Sequence, residues 1–263
     1  MSAVLDSLQG SGIQTRENDW NCDAAVIWSV LWHGRMQANQ QVYQHYRNQN
    51  KPVIIVEIGS LYRGQTWKIS VNNTTAQGFY GHHDNLDWAR PRKLGISLAV
   101  QAITKPNIVV ALQHTRSLQV ETLSAGLGSW VEQTVAEIAK HTDRPITIRP
   151  HPRNRMPLPA LPGRVTVEYP QKVANTYDSF DMHFDCHAVV NYNSGPGIQA
   201  GIAGVRPIVD ATSLAAPVGI DISDIEQPYT IDREKWFVEL CHTEYTLEEI
   251  TQGLWIKRLA PVL

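Results

Sequence analysis

The stretch "VVNYNSGPGIQAGIAGVRPIV" (189–209) decides the fold. An apolar run, 187–194, reads as a buried strand. Asn193-Ser194-Gly195-Pro196-Gly197 reads as a tight turn, and the Gly, Ala and Ile of 195–204 as a short helix of small residues. A further apolar run, 205–210, reads as the next strand. Strand, helix, strand in this order predicts a parallel βαβ unit. Small residues at the start of such a helix admit a ligand to its free backbone N–H groups. Together with the helix dipole these favour an anion such as phosphate. A tight turn with close packing is the alternative reading. The spacing is not G-x-G-x-x-G, because Gly195 and Gly197 are followed by Gly201, so a dinucleotide fingerprint is not expected.

Forty residues earlier, "IRPHPR" (148–153) ends another short apolar run in Arg149-Pro150-His151-Pro152-Arg153. Ligands of open α/β sheets collect at the carboxyl ends of the strands. The prolines stiffen the exit. Two guanidiniums suit a diphosphate, and a histidine hydrogen-bonds or protonates a leaving phosphate oxygen. The alternative here is a basic surface turn.

Outward from these two motifs the chain continues as α/β. Strands are expected at 24–32, 51–60, 66–73 (an edge strand), 106–113, 144–150 and 163–170. Helices are expected at 35–50, 128–142, 232–243 and 246–259, the last with a capping box from Thr246 to Glu249. Residues 1–20 read as a loose polar leader, and 76–95 as a long functional loop. Two strand–helix clusters meet near 95–106, giving an N-terminal half, 1–100, and a C-terminal half, 101–263.

The 263 residues are 43% hydrophobic and 18% charged, which excludes global disorder. A net charge of −2 excludes a global nucleic-acid footprint and leaves room for a local one. Cys22, Cys186 and Cys241 are far apart and lack metal or redox spacing, so three reduced thiols are expected. No run reaches membrane-spanning length and the N-terminus lacks the regions of a signal peptide, so a cytoplasmic protein is expected.

The pair "RPHPR" and "NSGPGIQAGIAGVRPIV" resembles the donor half of GT-B glycosyltransferases. It is most similar to the capsule-polysaccharide, β-Kdo-type transferase family, which carries an H-P motif, a Ser/Gly turn, a small-residue helix and a G-x-P-V strand. Gln113 stands where that family has Q-P, although His114 follows it here, and "WFVEL…YTLEEITQGLWIKRL" resembles the closing helices. The similarity spans roughly 106–259. It implies two Rossmann-like halves facing a cleft, in a compact GT-B architecture. It also implies a nucleotide-sugar donor of UDP or CMP type, with no further cofactor and no metal. There is no D-x-D, and the stretch from Asp178 to Asp181 is not one.

In this reading Arg149, His151, Arg153 and the amides around Ser194–Gly197 hold the departing nucleotide. Gln113, Asn193 and Gln199 complete the donor set. A base would come from the first half. Glu57 ends the "VIIVE" strand and needs a partner, for example Arg35 or Arg63, or a purpose. His33 and Asp84 are the other candidates. His82 and His83 adjoin Asp84, but neighbouring histidines point apart on an extended chain, so a metal is not expected. The acceptor is a glycan, or a hydroxymethylated base in phage-type DNA approached by Arg90, Arg92 and Lys93. Nucleotide-sugar 2-epimerases share the fold and much of the pattern. An epimerase and a non-catalytic nucleotide- or sugar-binding module are therefore the competing readings.

Overall fold

The computed structural model describes residues 1–100, 105–154, 156–161, 163–176, 179–182 and 185–262. In chain order the elements begin α1 (Ser2–Gly10), β1 (Ala25–Trp28), α2 (Gln37–Asn48), β2 (Val53–Ile58), β3 (Thr66–Val71) and α3 (Arg90–Lys93). They continue β4 (Ile108–Ala111), α4 (Gly126–His141), β5 (Ile146–Arg149), β6 (Val165–Val167), β7 (Ala188–Asn191), α5 (Gly195–Ile202) and β8 (Arg206–Val209). The chain ends with α6 (Glu234–Cys241), β9 (Glu244–Thr246), α7 (Leu247–Thr251) and α8 (Leu254–Leu259). Two compact units result. One is Met1–Leu94 with Val238–Leu263, the other Gly95–Phe237. The first join lies close to the expected boundary, where residues 101–104 fall outside the described residues. The C-terminal helices differ from expectation, because they belong to the first unit.

The first unit has a mixed sheet in the order β1-β2-β3-β9. β1, α2 and β2 form the expected parallel βαβ step. β3 runs antiparallel to β2, and β9 antiparallel to β3. β3 is therefore an inner strand, not the edge strand its sequence suggests. Its second neighbour comes from the far end of the chain, which no local pattern reveals. One face packs Ile54, Val56, Ile69, Val71 and Tyr245 against Val4, Leu8, Ile250, Trp255 and Leu259. The N-terminal residues thus form a docked helix where a loose leader was expected. Val4, Ser7 and Leu8, spaced three and four apart, make its buried stripe, and the Trp255 indole donates to Ser7 Oγ at 3.1 Å. The single C-terminal helix expected over 246–259 is two, α7 and α8, separated at Gly253, whose φ of +70° suits glycine. The Thr246–Glu249 capping box is formed.

The other face of this sheet carries charge. Glu57, Lys68 and Glu244 stand opposite one another on β2, β3 and β9. Burial holds the Lys68 pKa down, against the pull of the Glu244 and Glu57 carboxylates. Glu244 is fully buried and accepts from Ser60 N at 2.6 Å, Thr66 Oγ1 at 2.7 Å and Leu61 N at 3.1 Å. It thereby ties the 59–61 turn to the returning C-terminus. A side chain at Gly59 would collide with Glu244 and Thr66, so glycine is required there.

The second unit has a wholly parallel sheet in the order β6-β5-β4-β7-β8. Its strands are near-continuous apolar runs because both faces are covered. Leu127, Val131, Val135 and Ile138 of α4 pack on Ile108, Val110, Ile146, Ile148 and Val190. Ala200 of α5 packs with Val109, Ala111 and Val189 on the opposite face. The chain leaves β4 towards β5 on one side and returns as β7 on the other. The carboxyl ends of β4 and β7 therefore flank a topological switch point, where such sheets bind ligands.

Glu244→Ala should lower the free energy of unfolding by about 3 kcal/mol, because it strands Lys68 and two backbone amides. A urea melt with an unchanged midpoint would show that the charge row contributes nothing.

Candidate functional site

At the end of β7 the fully buried Asn191 organises the turn. Its Nδ2 donates to Ala111 O of β4 at 2.8 Å and to Ser194 Oγ at 3.0 Å, and its Oδ1 accepts from Ser194 N at 2.8 Å. Ser194 is the N-cap of α5 in an extended conformation, and its hydroxyl makes no cap bond. The first-turn amides of Gly195 and Gly197 lie at the positive end of the helix dipole, and Pro196 has no N–H to satisfy. Gly197 also has a packing reason, since a Cβ there would lie 2.6 Å from Val209 Cγ1. Close approach of helix to strand therefore accounts for this glycine. Gln199 sits half-buried on the same helix.

Gln113 follows β4 and is 4% exposed. Its Oε1 accepts from Asn193 N at 2.8 Å, so β4 and the β7 turn are joined a second time. Gln113 Nε2 and Asn193 Oδ1 are buried and have no hydrogen-bond partner among the described residues. Asn193 Nδ2 donates to Thr212 Oγ1 at 2.9 Å. A buried donor and a buried acceptor left unmatched at a switch point are what a polar ligand would satisfy.

At the end of β5 the geometry separates the basic motif into two parts. Arg149 is 2% exposed, and its guanidinium donates to Asp181 O at 2.6 Å, Asp181 Oδ1 at 3.1 Å and Glu168 Oε1 at 3.3 Å. It anchors the chain after β6, and its Nε is buried with no hydrogen-bond partner among the described residues. The other acid of the 178–181 stretch, Asp178, lies outside the described residues. His151 is half-buried and Arg153 exposed. His151 Nδ1 accepts from Arg153 N at 3.2 Å. The His114 ring lies edge-on to that of His151, with centroids 5.2 Å apart. His114 Nδ1 accepts from Arg116 N at 3.1 Å. His114 was not among the expected site residues. The signal that could have found it is the repeat of His-x-Arg after two neighbouring strands, His114-Thr115-Arg116 and His151-Pro152-Arg153.

The candidates of the first unit are dispersed. Glu57 accepts from Ser29 Oγ at 2.7 Å, Ile58 N at 3.0 Å and Val30 N at 3.3 Å. Its hydrogen bonds thus come from a hydroxyl and backbone amides, and the cation opposite it is Lys68 rather than Arg35 or Arg63. His33 precedes a 3-10 turn, Gly34–Met36, and Asp84 lies on the long loop with His82 and His83. All four side chains are exposed. Arg90 is a structural residue. It is buried and donates to Glu249 Oε1 at 2.6 Å, Cys241 O at 2.6 Å and Glu244 O at 2.7 Å. Lys93 pairs with Asp87 at 2.5 Å, and Arg92 is exposed. The expected basic approach to DNA therefore loses its first member to the interior. Among the described residues no group of His, Cys, Asp and Glu is placed to hold a metal ion. No described helix is long and apolar enough to cross a membrane.

No protein-family model and no curated protein matches the sequence. Solved structures do match the fold. KpsC of Thermosulfurimonas dismutans, a β-Kdo 2,4 transferase, superposes with a TM-score of 0.55 at 12% identity, over 96% of this chain and 93% of that one. A β-Kdo 2,7 transferase structure of KpsC from the same organism scores 0.45 at 14% identity, over 96% and 88%. The glycosyltransferase SnogD of Streptomyces nogalater scores 0.32 at 14% identity, over 62% and 45%. The last two scores are too low to support an argument.

Arg149→Met should lower the melting temperature by several degrees by removing the counter-charge of Asp181 and Glu168, whereas His151→Ala should leave it within about one degree. A thermally silent Arg149→Met would return that guanidinium to the set of ligand contacts. The chain has the α/β fold of GT-B glycosyltransferases, with a β-Kdo transferase as a structural neighbour over nearly its whole length.

Proposed function

We propose that the protein transfers a sugar from a nucleotide-sugar donor to a hydroxyl acceptor. The observation that carries this is the buried, unmatched Gln113 Nε2 at the switch point of a parallel sheet, beside the turn that starts α5. The N–H donors at the carboxyl ends of β4, β5 and β7 are the amides of the first turn of α5, the Gln113 carboxamide and the His151 imidazole, with the acceptor Asn193 Oδ1 beside them. Transfer breaks the bond between the anomeric carbon and a phosphate oxygen and forms one to the acceptor oxygen. Negative charge then develops on the departing phosphate. Fixed N–H dipoles stabilise that charge without reorganising during the reaction. His151 contributes a hydrogen bond to the leaving oxygen or a proton. A glycan hydroxyl is the favoured acceptor, because Arg90 is internal and Lys93 is paired with Asp87.

A panel of nucleotide sugars tests the reading. One donor should raise the melting temperature, and nucleotide release should depend on an added acceptor. His151→Ala should slow that release about a hundredfold. A donor converted to its epimer with no acceptor present would make the protein an epimerase. Binding without turnover would make it a sensor or carrier.

A further inference from the structure

At the carboxyl end of β1 the backbone is strained. Ser29 has a φ of +67°, and every other described non-glycine residue with positive φ is an asparagine, which tolerates that region. Serine does not, so its surroundings must hold it there, and such strain gathers where a side chain has to be aimed. Ser29 N donates to Val56 O of β2 at 2.8 Å, and Leu31 N donates to Ser29 Oγ at 3.2 Å. The hydroxyl donates in turn to Glu57 Oε2 at 2.7 Å, where Val30 N also donates at 3.3 Å. Trp28 lies opposite Val56 in the parallel pair, so Ser29 and Glu57 stand side by side where β1 and β2 end. The donors hold the Glu57 carboxylate unevenly. Oε2 accepts from two groups and Oε1 from Ile58 N alone, at 3.0 Å. A carboxylate oxygen has two lone pairs, so Oε1 keeps one for a further donor. Glu57 is half-buried and Ser29 only 6% exposed, so the serine acts on a ligand through the glutamate. The charges beside Glu57 are Lys68 on β3 and, beyond it, Glu244 on β9. One ammonium among two carboxylates leaves an excess of negative charge, which disfavours an anionic ligand. At the same end of β2, Tyr62 is 47% exposed and follows the turn whose amides Glu244 receives. Tyr62 N donates to Thr66 Oγ1 at 3.2 Å, which fixes the backbone that carries the ring.

We infer that the carboxyl end of β1 and β2 binds a neutral sugar, with one of its hydroxyls donating to Glu57 Oε1 and with Ser29 as the positioning residue for that carboxylate. Tyr62 offers an apolar ring face to the C–H side of the sugar. In the transferase reading, on which the inference rests for the role of this ligand, the sugar is the acceptor.

Saturation-transfer NMR titration with the methyl glycosides of glucose, galactose and mannose, each beside its uronic acid, tests it. At least one neutral glycoside should bind the unaltered protein, and its uronic acid several-fold more weakly. Ser29→Gly suits the positive φ and removes the hydroxyl, so the melting temperature should hold or rise while glycoside affinity falls about threefold or more. Ser29→Asn, which tolerates the same backbone and carries an N–H donor, should restore most of that loss. A serine with a merely structural role would change the melting temperature and leave the affinity alone. Glu57→Gln should weaken binding about tenfold through the lost charge-assisted hydrogen bond, and Tyr62→Ala several-fold. If Ser29→Gly proves unstable, Glu57→Gln decides alone. No binding of any neutral glycoside, tighter binding of the uronic acids, or an affinity that survives the substitutions overturns the inference. Sugar transfer from a nucleotide donor with an acceptor KM unchanged by Ser29→Gly and Glu57→Gln would overturn it and leave the transferase reading standing. The expected glycoside affinities without transfer from any nucleotide sugar would do the reverse.

Discussion

The side chain of Asn191 holds the second unit's site together. One carboxamide donates to the last carbonyl of β4 and accepts the amide of Ser194. It does so from a fully buried position, where a lost hydrogen bond leaves a costly unmatched polar group. That pair of bonds fixes the distance between the ends of β4 and β7 and sets the point at which α5 begins. Gln113 repeats the link one turn further out, through Asn193 N. The ends of β4 and β7 at the switch point are thus tied together by side-chain amides. The remaining unmatched groups, Gln113 Nε2 and Asn193 Oδ1, are buried and held in place by these bonds. Preorganised donors of this kind let binding proceed without a large ordering cost.

The first unit is built on a different principle. Its sheet gains its last strand from the C-terminus, and the buried Glu244 on that strand receives the 59–61 turn. Arg90 fastens the same C-terminal segment through Glu249 and the carbonyls of Cys241 and Glu244. Charges that a sequence reader assigns to the surface, or to a substrate, are therefore structural ties. The same is true of Arg149 in the second unit. A fully buried guanidinium needs its counter-ions, and Asp181 and Glu168 supply them.

These ties mark where sequence reading succeeds and where it stops. The parallel strands of the second unit were legible because burial on both faces makes each a short apolar run, as in "IVVA" and "AVVN". The capping box at Thr246 was legible because its chemistry is local. The inner position of β3 was not, because its neighbour β9 lies near the far end of the chain. The burial of Arg149 was hidden likewise, since Asp181 is 32 residues away. The N-terminal helix α1 is not legible locally because its stripe is short and its packing partners, Ile250, Trp255 and Leu259 among them, lie near the far end of the chain. Asn193 and Ser194 are candidates from their place in the turn after a strand, and Gln113 from the position where the resembled family has Q-P. His114 departs from the Q-P pattern, so the resemblance gives its ring no role.

The central claim is that the carboxyl ends of β4 and β7 receive a nucleotide. Hydrogen–deuterium exchange with and without a saturating nucleoside diphosphate tests it most directly. The account predicts slowed exchange in peptides covering 111–117 and 191–199, where the buried amides and the first turn of α5 gather. Protection confined to the first unit, or no protection anywhere in the second, would contradict it.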